Sequence, residues 1–157
     1  MGYTHYFNFN NGINEFSEKV LNEITTVTEK YQDILVVDEL SKMLINLNGI
    51  EEDSYETFYI STDLTSFNFC KTARRPYDLP VCEILLILKY HYGDNFNLKS
   101  DGFAVSRGKF EAKEIEDTWM EALENIKGNF GYEFELVGKI SESNGRKYYS
   151  FDIVQIS

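Results

Sequence analysis

Apolar residues recur along this chain with two periods, and the switches between those periods mark its elements. Tyr3 to Phe9 alternates aromatic and polar positions, the period-two pattern of a strand, and Asn10, Asn11 and Gly12 end it. Thr4 and Tyr6 fall on one side of that strand, and Tyr3, His5 and Phe7 on the other. Phe16, Val20, Ile24, Val27 and Tyr31 then repeat at three- and four-residue spacing with glutamates between them, which predicts an amphipathic helix over 14–30. Met43, Ile45 and Leu47 alternate again. After the turn-forming Glu51 to Ser54, strands are expected over Tyr55 to Ile60 and Thr65 to Lys71, three consecutive strands forming an antiparallel meander.

Residues 79–92 are apolar almost all round, interrupted chiefly by Glu83 and Lys89, and a helix of that kind is buried on every side. Asp78 stands at its expected N-cap, and Pro80 fits in a first turn that has no intrahelical N–H bond to lose. Beyond Gly93, Asp94 and Asn95 a short strand is expected over Phe96 to Lys99. The stripe Ala112, Ile115, Trp119, Ala122, Leu123 and Ile126 predicts a third helix over 109–126, stopped by Gly128. Tyr132, Phe134 and Leu136, a turn at Asn144 and Gly145, and residues 147–156 predict a C-terminal hairpin. The fold class is therefore α+β, a mainly antiparallel sheet with about three helices packed largely on one face, one of them deeply buried. The length of 157 residues fits one globular domain.

Charge changes this picture in one place. The chain carries 26 acids against 15 Lys and Arg, a net charge of −11. Residues 1–70 hold only Lys19, Lys30 and Lys42 against twelve acids. In the middle, Phe69 Cys70 Lys71 Thr72 Ala73 Arg74 Arg75 Pro76 Tyr77 Asp78 gathers three cations. Pro76 biases Arg75 away from helical geometry, so the segment reads as a loop leading into the buried helix, whose first N–H groups carry partial positive charge. Lys71, Thr72, Arg74 and Arg75 there, with Tyr77, Tyr6 and His5 as aromatic or polar neighbours, make a candidate site for a phosphate or carboxylate. The competing assignment gives each arginine to one of the many carboxylates.

Other chemistry is sparse. There is no P-loop, G-x-G-x-x-G, G-x-S-x-G or H-E-x-x-H motif. Two histidines exclude a His-rich metal site, two cysteines do not furnish a structural zinc site, and Asp94, Asp101 and Gly102 lack EF-hand spacing, so neither a metal nor another cofactor is expected. Cys70, beside the cations, is the one nucleophile to weigh, and a Cys70-dependent enzyme is a lesser alternative; Cys82 falls in the core. The acidic balance argues against a nucleic-acid face. The opening residues lack a signal-peptide pattern, and no apolar run approaches the ~20 residues of a membrane span, so a soluble cytoplasmic protein with reduced thiols is expected. Self-association is left open.

Two motifs, GYTHYF at 2–7 and FCKTARRPYDLPVCEILL at 69–86, together resemble an uncharacterised family of small bacterial and bacteriophage proteins that begin GYTHYW and carry FCKTARKPYD before a hydrophobic helix. Phe7 stands where that family tends to have Trp and Arg75 where Lys is frequent. Gly93 Asp94 and Ser100 Asp101 Gly102 are similar to its later GD and SSDG-like pieces, so the resemblance covers about the first two thirds of the chain. A phage setting implies interference with host defence. The expected function is a non-enzymatic protein binding an anionic nucleotide-like small molecule, as a sponge for an immune signal. The alternative is an acidic inhibitor that uses Glu51, Glu52, Asp53 and Glu56 against a basic host protein.

Overall fold

The computed structural model describes residues 3–105 and 115–156, and the fold is α+β with three small antiparallel sheets. In the first sheet β1 (Thr4–Phe9) is central, between β5 (Phe69–Lys71) and β6 (Phe96–Ser100). The second is a meander of β2 (Leu35–Leu40), β3 (Leu44–Gly49) and β4 (Phe58–Ser61). In the third, β9 (Arg146–Gln155) lies between β7 (Ala104–Val105) and β8 (Phe134–Ser143). The helices are α1 (Glu18–Lys30), α2 (Asp78–Tyr92) and α3 (Asp117–Phe130).

Helix α2 is the centre of the core, as its apolar circumference requires. Every residue from Pro80 to Leu88 is buried, and the helix packs against α1, α3 and β6. The side chains of β1 divide as alternation demands. His5, Phe7 and Phe9 are buried, opposite Cys70, Leu98 and Phe96 of the neighbouring strands, while Tyr6 and Asn8 stand half-buried on the other face. No helix among the described residues is long and apolar enough to cross a membrane.

Several boundaries differ from the sequence pattern for local reasons. Helix α1 starts at Glu18 rather than residue 14, because the Ser17 hydroxyl accepts the Val20 N–H at 3.2 Å and fixes the cap there. Strand β2 was not expected; it is an edge strand, mostly exposed, with a register shift between Val37 and Glu39 that spoils its alternation. The strand expected over 55–60 begins at Phe58. The one expected over 65–71 narrows to β5 and leaves the meander to pair with β1, Thr4 against Lys71 and Tyr6 against Phe69. Asp78 is not an N-cap; the cap is Tyr77, without a side-chain hydrogen bond. Helix α3 runs through Gly128, whose missing Cβ would meet open space, and stops at Gly131 with φ of +76°. The expected start of that helix at 109–114 lies outside the described residues. The C-terminal hairpin turns at Asn144 and Gly145, as the pattern requires.

One carboxyl in the core sets a pH dependence. Glu83 of α2 is buried; Tyr31 and the Asn125 amide, the latter at 3.2 Å, both donate to Oε2, while Oε1 has no partner among the described residues. Burial raises the Glu83 pKa above the usual carboxylate range, against the lowering by its two hydrogen bonds. The folded protein thus holds this proton more tightly than the unfolded chain, so stability falls as pH rises from the ordinary carboxylate range through the raised folded value. Relative to wild type, Glu83→Gln is expected to gain stability over that rise and to show no advantage below it. Urea melts across pH 4–8 check this, and a constant difference between the two proteins would refute it.

Candidate functional site

The segments singled out by sequence meet inside the protein around His5, which is fully buried on the helix-facing side of β1. Its Nδ1 lies 2.7 Å from Ser100 Oγ and its Nε2 lies 2.6 Å from Asp78 Oδ1. Ser100 Oγ accepts the Trp119 indole N–H and the Gly102 backbone N–H, each at 3.0 Å. With both lone pairs taken, the Ser100 hydroxyl hydrogen goes to Nδ1, and Nε2–H is left to donate to Asp78. Thr72, also fully buried, donates its hydroxyl to the same Asp78 Oδ1 at 2.6 Å. The result is a directed chain of hydrogen bonds, Trp119 to Ser100 to His5 to Asp78. It has the members of a Ser–His–Asp triad, but the serine oxygen is saturated and buried, which leaves it no approach to a substrate. Cys82, one helical turn after Asp78, puts Sγ 3.7 Å from His5 Nε2 and 3.9 Å from Asp78 Oδ1. Among the described residues, two buried atoms around this chain have no hydrogen-bond partner, Tyr3 Oη and Asp78 Oδ2.

The loop from Thr72 to Tyr77 separates the expected cationic cluster. Ala73 and Arg74 both have positive φ, 52° and 54°, and the Arg75 N–H closes on Thr72 O at 3.0 Å, the pattern of a type I′ turn. Arg74 lies over the Tyr3 ring, 4.2 Å from its centroid, and forks onto Glu116 at the start of α3, with Nη2–Oε1 2.6 Å and Nε–Oε2 3.1 Å. The Glu116 carboxylate holds the guanidinium pKa above its ordinary value. Arg75 is exposed, 5.9 Å from the Tyr55 ring centroid, and Lys71 stands 5.9 Å from that of Phe69. Tyr77 is fully buried and donates its hydroxyl to Glu56 O at 2.6 Å. Tyr77, Asp78 and Pro80, at the amino end of α2, are all buried. His5, Thr72 and Tyr77 thus belong to the interior, and Arg74 to a clamp between this loop and α3.

Neither central residue of the turn is the glycine or asparagine that a left-handed backbone favours. Ala73→Gly is expected to stabilise the protein by about 0.5–1 kcal/mol, the relief of left-handed strain exceeding the added chain entropy. Denaturant melts check it, and a loss of stability would contradict the strain.

On the opposite face of the first sheet the remaining predicted residues find new company. Tyr6, Phe67 and Phe69 form a continuous aromatic row, with centroids 5.8 Å and 5.9 Å apart, and Phe67 is 73% and Phe69 44% exposed. Tyr6 pairs across the sheet with Phe69 on one side and with exposed Lys99 on the other, and Lys71 follows Phe69 on the same face. Asn8 and Asn97 continue that face, and Asp101 sits at its rim, 3.5 Å from Tyr6 Oη. Phe67, Phe69 and Lys99 were missed by sequence reasoning; the alternation of Phe67 with Phe69 beside the cationic run was the available signal.

Cys70 is fully buried, and desolvation first, then Glu56 and Asp78, push its thiol up to about 12, the opposite of an activated nucleophile. None of the predicted site residues lines the depression along α1, which is bordered by Glu18, Lys19, Asn22, Glu23 and Thr26. The fold and these features define an α+β protein with a sealed polar relay on one side of a three-stranded sheet and an open aromatic, cationic surface on the other. Comparison with family models, curated proteins and solved structures returns no match.

Proposed function

We propose that this is a non-enzymatic binding protein that holds an anionic nucleotide-like small molecule on the outer face of the first sheet. The observation that carries the reading is the row of half-buried Tyr6 with exposed Phe67 and Phe69, flanked by Lys71 and Lys99 in a chain of net charge −11. Solvent-exposed aromatic rings on a sheet are stacking platforms for bases, each stack contributing about 1–3 kcal/mol. The two lysines supply point charges for phosphate. A long polyanion is disfavoured because the rest of the surface repels it, whereas one or two phosphates need only these few cations. Such a binder, in a phage setting, would sequester a nucleotide-derived signal. Isothermal titration of the full chain with cyclic mono- and dinucleotides and with ADP-ribose, using inorganic phosphate as control, is expected to show saturable binding to a base-bearing ligand. Absence of heat with all of them, from folded protein, rejects the reading.

A second reading rests on the exposed acidic turn Glu51–Asp53. Those carboxylates fit the basic surface of a host protein. Salt-sensitive capture of such a partner that persists after Lys71→Ala and Lys99→Ala would favour it.

A further inference from the structure

The geometry points to a transition-metal site of the zinc class in the core, formed by His5 Nε2, the Asp78 carboxylate and Cys82 Sγ. These three ligand atoms come from β1 and from two positions one turn apart on α2, and all lie within 4.8 Å of one another. Donors around a four-coordinate zinc sit roughly 3.3–3.6 Å apart. The sulfur is close to that spacing already, 3.7 Å from His5 Nε2 and 3.9 Å from Asp78 Oδ1. To admit an ion, the direct His5–Asp78 hydrogen bond of 2.6 Å must open and the hydrogen bonds at Ser100 must rearrange.

Independent support comes from Asp78 Oδ2, a carboxylate oxygen in a residue only 2% exposed that has no hydrogen-bond partner among the described residues. A buried carboxylate oxygen left unpaired is costly, and a cation is the partner that answers it. Thr72 donates to Oδ1 at 2.6 Å, which holds the carboxylate beside the other two ligands. One imidazole, one thiolate and one carboxylate form a borderline donor set that selects zinc-like ions over magnesium or calcium. Binding replaces the Cys82 thiol proton, which is released, and moves the imidazole hydrogen from Nε2 to Nδ1. There it faces Ser100 Oγ at 2.7 Å, and Ser100 must turn its own hydroxyl hydrogen away and release one of its two N–H donors to accept it as the outer hydrogen bond of a metal-bound histidine ring. The site ties β1 to the amino end of α2, so its role is to staple the fold.

The test uses the full chain, refolded with and without metal. Expected results are one zinc per chain by native mass spectrometry, a thiolate-to-cobalt charge-transfer band on adding Co(II), and a higher thermal midpoint in zinc than in chelator. Cys82→Ser is expected to abolish the band, and Ser100→Ala to weaken cobalt binding about 10–100-fold. His5→Gln provides a second ligand variant should the serine variant fail to fold, and the wild-type readouts stand without either. Metal-free protein whose midpoint is the same in zinc and chelator, with no cobalt band, overturns the proposal. So does a band that survives in a folded Cys82→Ser or His5→Gln protein.

Discussion

Trp119→Ala is expected to remove about 3–5 kcal/mol of stability, the largest effect of any single truncation considered for this chain. Trp119 has no exposed surface and packs edge-on against His5 at 5.1 Å and at a tilt against Phe103 at 4.8 Å between centroids. Truncation leaves a cavity between α3 and β1 and also strips Ser100 Oγ of a donor. That freed lone pair lets the Ser100 hydroxyl reorient, so the hydrogen-bond directions that fix His5 lose their constraint. Since a domain of this size is stable by only about 5–15 kcal/mol, the loss shifts the urea midpoint substantially. Trp119→Phe separates the two contributions: it restores most of the volume but not the N–H, and a cost of about 1 kcal/mol is expected from the unpaired acceptor. If Trp119→Ala costs less than 1 kcal/mol, the relay is not a tightly packed unit.

The second large effect concerns binding. Replacing Phe67 and Phe69 together by alanine is expected to weaken nucleotide affinity by about 10–100-fold, the equivalent of removing one or two base stacks. Phe67, at 73% exposure, contributes little to the core. Its single alanine variant should therefore keep wild-type stability within about 0.5 kcal/mol. Titration calorimetry and urea melts on the same preparations separate a binding loss from an unfolding one. Unchanged affinity in the double variant would remove the aromatic face from consideration.

The core was legible where a single element declared itself. Residues 79–92 could only be an internal helix, because no face of it was polar enough to meet water, and α2 is buried from Pro80 through Leu88. The hairpin at Asn144 and Gly145 was equally plain from turn chemistry. Long-range strand pairing was not legible. β5 follows the meander in sequence yet joins β1, some sixty residues earlier, and no local pattern encodes that choice. The same limit applied to the relay, whose members His5, Asp78 and Ser100 are joined across 73 and 95 residues. Two hints were present all the same. His5 shares the inward phase of Phe7 on a strand, and a histidine on a buried face requires polar partners. Asp78 is the acid at the head of an otherwise apolar helix, and what resembled a cap is instead the acceptor of His5 and Thr72. Local charge identified Lys71, Arg74 and Arg75 but not their directions, which the left-handed pair Ala73 and Arg74 determines.

The alternation of β1 sends Tyr6 to the open face and His5, one residue earlier, to the sealed one. Both surfaces are therefore in phase with a single backbone. Deleting Asn8 while the rest of the sheet keeps its register would invert that phase for everything upstream of the gap, His5 and Tyr6 included. An insertion or deletion scan of this strand should consequently behave as a parity test, tolerating neither surface alone, whereas point changes can tune either one separately.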